Sequence, residues 1–450
     1  MSALNGVSVL VAGAGLAGLS AARDLTALGA TVTVVEARDR VGGRAWTIRE
    51  GFKDGQHAEG GADLIDGAQE EIQKLAAELG LELTRILRSG WGSCPPPDGH
   101  GRPQIVRRGV ARGWERLAKQ VSAFSEPYRS RNGDGNRQSW RTSRASRWPT
   151  GCGSIDADDE LRQTALGLPA SSSAIPTSSR CSRSSTSSPP RTRRFPTRCI
   201  ASTGGNDRLA TALSAPLRQA LKLRTEVVAV SQRGQRGPGQ SQEQPPGGTA
   251  VVRVCRVRAS RPRSCGASRS RRRCRSSSTT RLSRLKYGRA TKTLLQFSRR
   301  FWRIPAGRRA FRSPLPFGAV WGRRRRTARA PGILNFMSGG SASDATRELF
   351  TREGPEALAR TLDWLGGKRA DLIASRQVAW DDDPWARGGY AFFDPAFDPA
   401  LRSWLARRPV GCSSRANTRA TSGEGYMNGA IEGSRRAAAK SRPFHALTPA

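Results

Sequence analysis

One short stretch, Gly13-Ala14-Gly15-Leu16-Ala17-Gly18, limits what this chain can become more than any other. It follows the apolar run Val7 to Val11 and precedes a helical pattern from Leu19 to Leu28; the β-branched run Thr31 to Val35 and then Glu36 come next. That order predicts one βαβ unit with a glycine turn between strand and helix. Gly13 permits the tight turn, Gly15 lets backbone N–H groups approach a pyrophosphate, and Gly18 lets helix and strand pack closely. Glu36 stands where a carboxylate meets a ribose hydroxyl, so a dinucleotide is expected here. The alternative is a glycine turn that binds nothing.

Further motifs follow within thirty residues. Ala37 to Trp46 reads Ala-Arg-Asp-Arg-Val-Gly-Gly-Arg-Ala-Trp, and Glu59-Gly60-Gly61-Ala62 lies a short way on. Together with the fingerprint, this text resembles the FAD-binding N-terminus of the flavin-dependent amine oxidases. The resemblance implies that Arg38 and Arg44 touch the adenosine and pyrophosphate portions of FAD, and that Gly42, Gly43 and Gly61 let backbone approach it. A plain basic turn is the alternative. The implied fold class is α/β, with a Rossmann-type FAD domain of the glutathione-reductase kind built from discontinuous segments, plus an α+β substrate domain.

Later segments extend the likeness. Lys222 to Val228 resembles a family strand whose backbone contacts adenine, through Val227 here. Ala290-Thr291-Lys292-Thr293-Leu294 resembles the segment that places a lysine near flavin N5, where it holds a water and assists reoxidation by oxygen; the other reading of Lys292 is a solvated surface lysine. Trp380 to Tyr390 and Gly425 to Ala430 resemble two C-terminal motifs, with Trp380 on the cofactor side. Tyr390 and Tyr426 would form parallel walls before the flavin and take the amine between their electron-rich faces; the other reading is core packing. Relatives that hold flavin covalently do so through a cysteine where this chain has Gly389, so non-covalent FAD is expected.

Composition complicates this picture. The 450 residues carry 76 Lys and Arg against 36 Asp and Glu, a formal charge of +40. The excess is segmental: Val251 to Arg284 holds twelve Arg and no acidic residue. Arg129 to Pro149, Pro169 to Thr203 and Gln235 to Ser283 are Ser-, Arg- and Pro-rich with little periodicity, while Asp156 to Leu168 and Leu209 to Leu221 read as helices and Glu226 to Val230 as a strand. Gly67 to Leu79 also reads as a helix, with Ile72, Leu75, Ala76 and Leu79 on one face and Gly80 as its stop.

Such abrupt switches point to shifted reading frames. Val410 to Ala420 can be written in codons whose other frame reads Arg-Leu-Leu-Phe-Ala-Gly-Glu-His-Thr-Ser, and Phe-Ala-Gly-Glu is what the resemblance leads one to expect at this place. A natural basic insertion is the alternative. Nucleic acid would suit the charge, but the Arg253 to Arg284 tract lacks aromatics for base stacking.

The eight cysteines have no Cys-x-x-Cys spacing, so no metal site is expected, and scattered thiols indicate a reducing, cytoplasmic setting. No window is apolar and long enough for a membrane helix, and the apolar start reads as strand and turn rather than a signal. Residues 1–90, 204–285 and 376–450 are expected to form the FAD domain, and 91–203 and 286–375 the substrate domain. The expected reaction is oxidation of a small-molecule amine to an imine, then aldehyde and ammonia, with O2 reduced to H2O2. Two other readings stay open: an inactive product of a disrupted gene, and a basic nucleic-acid-binding protein. The text fixes neither the amine nor the oligomeric state.

Overall fold

A computed structural model describes residues 4–87, 92–93, 199–227, 252–254, 286–302, 310–312, 318–322, 331–363, 371–392 and 425–439. The expected βαβ unit is present as β1 (Ser8–Ala12), α1 (Leu16–Ala27) and β2 (Thr31–Val35). β1 and β2 pair in parallel, with Val9 opposite Val32 and Val11 opposite Val34. Parallel strands joined through a helix must be covered on both faces, which is why Val9, Val11 and Val34 are buried with Leu19 and Leu25.

The sheet gains its outer strands from far along the chain. β9 (Leu221–Lys222) pairs with β2, and β10 (Val252–Val254) with β1, giving the all-parallel order β10-β1-β2-β9. β10 is an ordered strand within the Gln235 to Ser283 tract of little periodicity, since Val-Arg-Val supplies the alternation that the open edge of β1 accepts. β8 (Cys199–Ser202) is likewise a strand at the end of the Pro169 to Thr203 tract: it pairs with both β5 (Ile65–Asp66) and β6 (Leu83–Leu87), which follow the short antiparallel pair β3 (Thr47–Ile48) and β4 (Ala58–Glu59).

Helix α2 (Glu70–Glu78) buries Ile72, Leu75 and Ala76 and ends at Gly80, whose φ of +64° suits glycine. α3 (Asp207–Ser214) is shorter than the expected Leu209 to Leu221. Pro216 cannot continue an α-helix, so a 3-10 turn takes over from Ala215 to Ala220. The strand expected over Glu226 to Val230 is also displaced: residues 226 and 227 are not in a strand, because Arg224 turns the chain with φ +50°. Residues 228–230 lie outside the described residues, as do Asp156 to Leu168 and Val410 to Ala420. The last helix, α6 (Met427–Ala439), lies on α1, where Ser434 Oγ donates to Ser20 Oγ at 2.8 Å.

A second, mostly antiparallel sheet carries the order β16-β12-β15-β14-β13-β7. Its centre is β12 (Ala290–Phe297), flanked by β15 (Gly332–Gly339) and β16 (Leu372–Ala379) and buried along its whole length. β14 (Ala319–Gly322) lies beyond β15, followed by β13 (Ala310–Arg312) and β7 (Gly92–Ser93). Helices α4 (Ser341–Glu353) and α5 (Pro355–Arg360) pack on it. A short antiparallel pair, β11 (Lys286–Gly288) with β17 (Tyr390–Phe392), joins the two regions.

Candidate active site

At the turn after β1, Gly13 has φ +100° and its N–H is held by the Val35 carbonyl at 2.7 Å. A Cβ on Gly18 would stand 2.0 Å from the Gly13 carbonyl oxygen, so helix and turn touch there as the fingerprint predicts. Gly15 sits at the N-cap of α1 with no side chain capping it, and the space beside it is open: its nearest neighbour, the Gly42 carbonyl oxygen, is 3.9 Å from a built Cβ. The helix N-terminus therefore presents N–H groups to a site able to take an anion. Gly42 and Gly43 close the other wall, with the Gly42 N–H on the Ala14 carbonyl at 2.8 Å.

Glu36 is buried and accepts from the Ala14 N–H at 2.7 Å and the Arg38 N–H at 3.0 Å. Arg38 extends to Asp383 at 2.5 Å, while its buried Nη1 has no hydrogen-bond partner. Burial works against the Asp383 charge, yet Arg38 and the Ala386 and Trp385 N–H groups hold its carboxyl below the usual range. Val227 lies just past Thr225, whose N–H bonds the Glu36 carbonyl at 2.8 Å, so it sits at the same end of the site.

Gly61 allows the closest approach of two loops: its Cβ would meet the Arg44 carbonyl oxygen at 1.8 Å and Trp380 Cζ2 at 2.9 Å. Trp380 is buried, donates Nε1 to the Gly60 carbonyl at 2.9 Å and meets Trp46 edge-on at 6.3 Å. Arg44 donates to the Gly389 carbonyl, tying this turn to the C-terminal motif.

Lys292, on the central strand β12, is 2% exposed. The solvated-lysine reading is therefore wrong: packing on both sides of β12 removes it from water. Its Nζ donates to the Glu59 carbonyl at 2.9 Å and pairs with Asp63 at 3.1 Å, 5.1 Å from the centre of the Trp321 ring. The Trp321 indole also donates to Asp63, at 2.9 Å.

Tyr390 packs against the cluster containing Trp321 and Met337. Its ring lies 3.7 Å from where a Cβ on Gly425 would stand, next to Tyr426, and the two phenols act on one another electrostatically. The structure thus brings Lys292, Tyr390 and Tyr426 towards one place through Asp63 and Trp321. Tyr426 remains 40% exposed.

Burial, then the charge of Tyr426, pushes the Tyr390 phenol up to about 12. An unfolded tyrosine ionises near 10, so this stability is whole below pH 10 and is lost as pH rises from 10 to 12. Tyr390→Phe should flatten that alkaline loss by at most roughly 2–3 kcal/mol, measured as the difference in denaturant unfolding between the two proteins. Equal alkaline slopes would disprove it.

Asp63, Trp321 and Asn206 were not singled out by the sequence. Asn206 donates to the carbonyls of Ala62 and Asp63, at 3.1 and 2.6 Å, and so fixes the loop that bears Asp63. For Asp63 the available signal was its place two residues after Gly61. Among the described residues no group of three or more His, Cys, Asp or Glu is set to hold a metal, and no helix is long and apolar enough to cross a membrane.

The open helix N-terminus, the glycine walls and the buried Glu36 make this a dinucleotide-binding α/β fold. A family model for flavin containing amine oxidoreductases matches residues 16–440, and the chain belongs to that family. FAD is its cofactor, and the uncapped helix end, Glu36 and Arg38 Nη1, which is ion-paired to Glu36 at 3.8 Å but makes no hydrogen bond, fit such a group.

Putrescine oxidase from Kocuria rosea is 50% identical over 91 residues, 20% of this chain and 18% of that protein. Amine oxidase [flavin-containing] B from Rattus norvegicus is 43% identical over 82 residues, 18% of this chain and 15% of that one. The matched stretches thus span less than a fifth of these relatives. Among solved structures, wild-type putrescine oxidase bound to putrescine superposes with a TM-score of 0.76, covering 97% of this chain and 98% of that one at 19% identity. Cyclohexylamine oxidase from Brevibacterium oxydans gives 0.77, with 98% and 99% covered at 20% identity. These two establish the likeness of fold.

Proposed function

We propose that this chain is an FAD-dependent oxidase of small-molecule amines, producing an imine that hydrolyses to aldehyde and ammonia while O2 becomes H2O2. The observation that carries this is the convergence of buried Lys292 with Tyr390 and Tyr426 beside the Gly61 loop. Bound FAD would supply the two-electron acceptor. Gly13, Gly15, Gly18, Gly42, Gly43 and Gly61 would give backbone access to it, with Glu36, Arg38, Arg44 and Val227 along its nucleotide half and Trp380 packing the loop it rests on. Tyr390 and Tyr426 would receive the amine between ring faces, and their apolar surroundings favour its neutral, oxidisable form. Lys292 would hold a water near the reacting edge and assist the oxygen step.

The sheets support a division in which residues 1–90, 199–285 and 380–450 would form the FAD domain and 91–198 and 286–379 the substrate domain, the boundary moved from 375 so that β16 stays whole and from 203 so that β8 stays with β5 and β6. The cytoplasm is the compartment that scattered thiols favour.

A FAD-loaded preparation should show a flavin absorption spectrum, bleach under anaerobic addition of putrescine, benzylamine or cyclohexylamine, and release peroxide in air. Acid precipitation should free all the flavin into the supernatant, because a Cβ at Gly389 would already meet the Ala290 Cβ at 2.3 Å and no cysteine stands there. Flavin that stays in the pellet refutes non-covalent binding, and flavin that no amine bleaches refutes the oxidase.

A second reading, an inactive product of a disrupted gene, also has support. Identity to putrescine oxidases is 50% over one stretch of 91 residues and 19% when nearly the whole chain is superposed. A loss of likeness that is so uneven suits shifted frames better than steady divergence.

A further inference from the structure

We propose that Asp63 is the positioning residue for Lys292, clamping its ammonium between a carboxylate and a carbonyl so that one N–H is left to aim at a ligand or water. The proposal deepens the amine oxidase reading and rests on it.

A lysine ammonium has three donors on a flexible stem. Among the described residues, Lys292 spends one on the Glu59 carbonyl at 2.9 Å and one on Asp63 Oδ2 at 3.1 Å. Two fixed contacts on one nitrogen determine the direction of the third donor. Both anchors belong to the same loop, Glu59 to Asp63, that carries Gly61 against Arg44 and Trp380. Lys292 is therefore referenced to the wall of the cofactor site and not only to its own strand.

The carboxylate is itself immobilised. Asp63 Oδ2 also accepts from Trp321 Nε1 at 2.9 Å, and the Asp63 backbone carbonyl accepts from Asn206 Nδ2 at 2.6 Å. Lys292 and Asp63 side chains are 3% and 4% exposed, so the pair is shielded from solvent screening. Tyr390 senses the same carboxylate electrostatically, which places Asp63 within reach of the tyrosine that faces substrate. A buried charge this close to a proposed oxygen-reactive lysine fixes its geometry, and small misplacements of such groups cost rate.

The test uses the full chain loaded with FAD and the variants Asp63→Asn, Asp63→Glu and Trp321→Phe. Lys292 acetylation by acetic anhydride, followed by peptide mass spectrometry, reports on the clamp without any turnover. It should rise about tenfold in Asp63→Asn, less in Trp321→Phe, and return towards wild type in Asp63→Glu. In rapid mixing, Asp63→Asn should slow reoxidation by oxygen about 10- to 100-fold more than it slows reduction by amine. Unchanged acetylation in both Asp63→Asn and Trp321→Phe overturns the proposal, as does equal slowing of the two half-reactions. If Asp63→Asn does not fold, Trp321→Phe decides. If no amine reduces the wild-type flavin, the oxidase reading falls, and the acetylation result still decides whether Asp63 holds Lys292.

Discussion

Gly18→Ala should lose bound flavin to background and unfold at least about 3 kcal/mol more easily, the upper end of what overpacking costs. The added methyl would stand 2.0 Å from the Gly13 carbonyl oxygen and 3.4 Å from Val11 Cγ1. Neither neighbour can retreat cheaply, because the Gly13 N–H is pinned by Val35 and Val11 lies in the core. Gly15→Ala makes the contrast. Its methyl meets nothing nearer than 3.9 Å and φ is −75°, so the fold should survive while flavin affinity falls at least tenfold, about 1.4 kcal/mol. Denaturant midpoints and flavin titration separate the two effects. A Gly18→Ala protein with wild-type stability would show that helix and turn are not packed as described.

Restoring the reading frame is expected to change the protein more than any substitution. The gene should contain paired insertions and deletions bounding the Arg129 to Pro149, Pro169 to Thr203 and Gln235 to Ser283 tracts, with another near Val410. Correcting them should recover apolar periodicity, remove most of the cysteines that lie in or beside those tracts, supply acidic residues and lower the net charge substantially from +40. The presence of β8 and β10 sets the boundaries more tightly: Cys199–Ser202 and Val252–Val254 pair with their neighbours as the chain stands. The restored protein should express better, hold more FAD per chain and release peroxide from amines faster than the unrestored chain. One uninterrupted frame of uniform codon usage, together with steeply salt-dependent nucleic acid binding by the unaltered chain, would reject this account.

The βαβ unit was legible because its instructions are local. Gly13, Gly15, Gly18 and Glu36 lie within one short run, and each answers a steric or charge demand made by its immediate neighbours. Lys292, Tyr390 and Tyr426 were legible only through motif likeness. Their meeting depends on β12, β17 and α6 being brought together, which no periodicity encodes.

Asp63 escaped because its partners Lys292 and Trp321 are 229 and 258 residues away. β10 escaped because three residues of alternation were hidden in arginine-rich text, and the partner strand, not the segment, makes them a strand. The 3-10 turn after α3 was readable in Pro216, whose missing N–H forbids the longer helix. The bend at Arg224 was not, since a positive φ on arginine has no sequence signal and follows from its N–H reaching the Arg38 carbonyl at 2.9 Å.

The sheet order β10-β1-β2-β9 has a consequence for biosynthesis. β1 and β2 leave the ribosome early, yet their outer partners lie at Leu221–Lys222 and Val252–Val254, and the helix that covers α1 ends at Ala439. At about 5–20 residues per second, the nascent βαβ unit waits on the order of 20–80 s for that last helix. The two parallel strand edges stay open for roughly the first half of that interval, until Leu221–Lys222 and Val252–Val254 are made, and the apolar side of α1 stays uncovered to its end, an invitation to pair with other chains. Productive maturation should therefore depend on chaperones that hold the N-terminal unit until the C-terminus arrives.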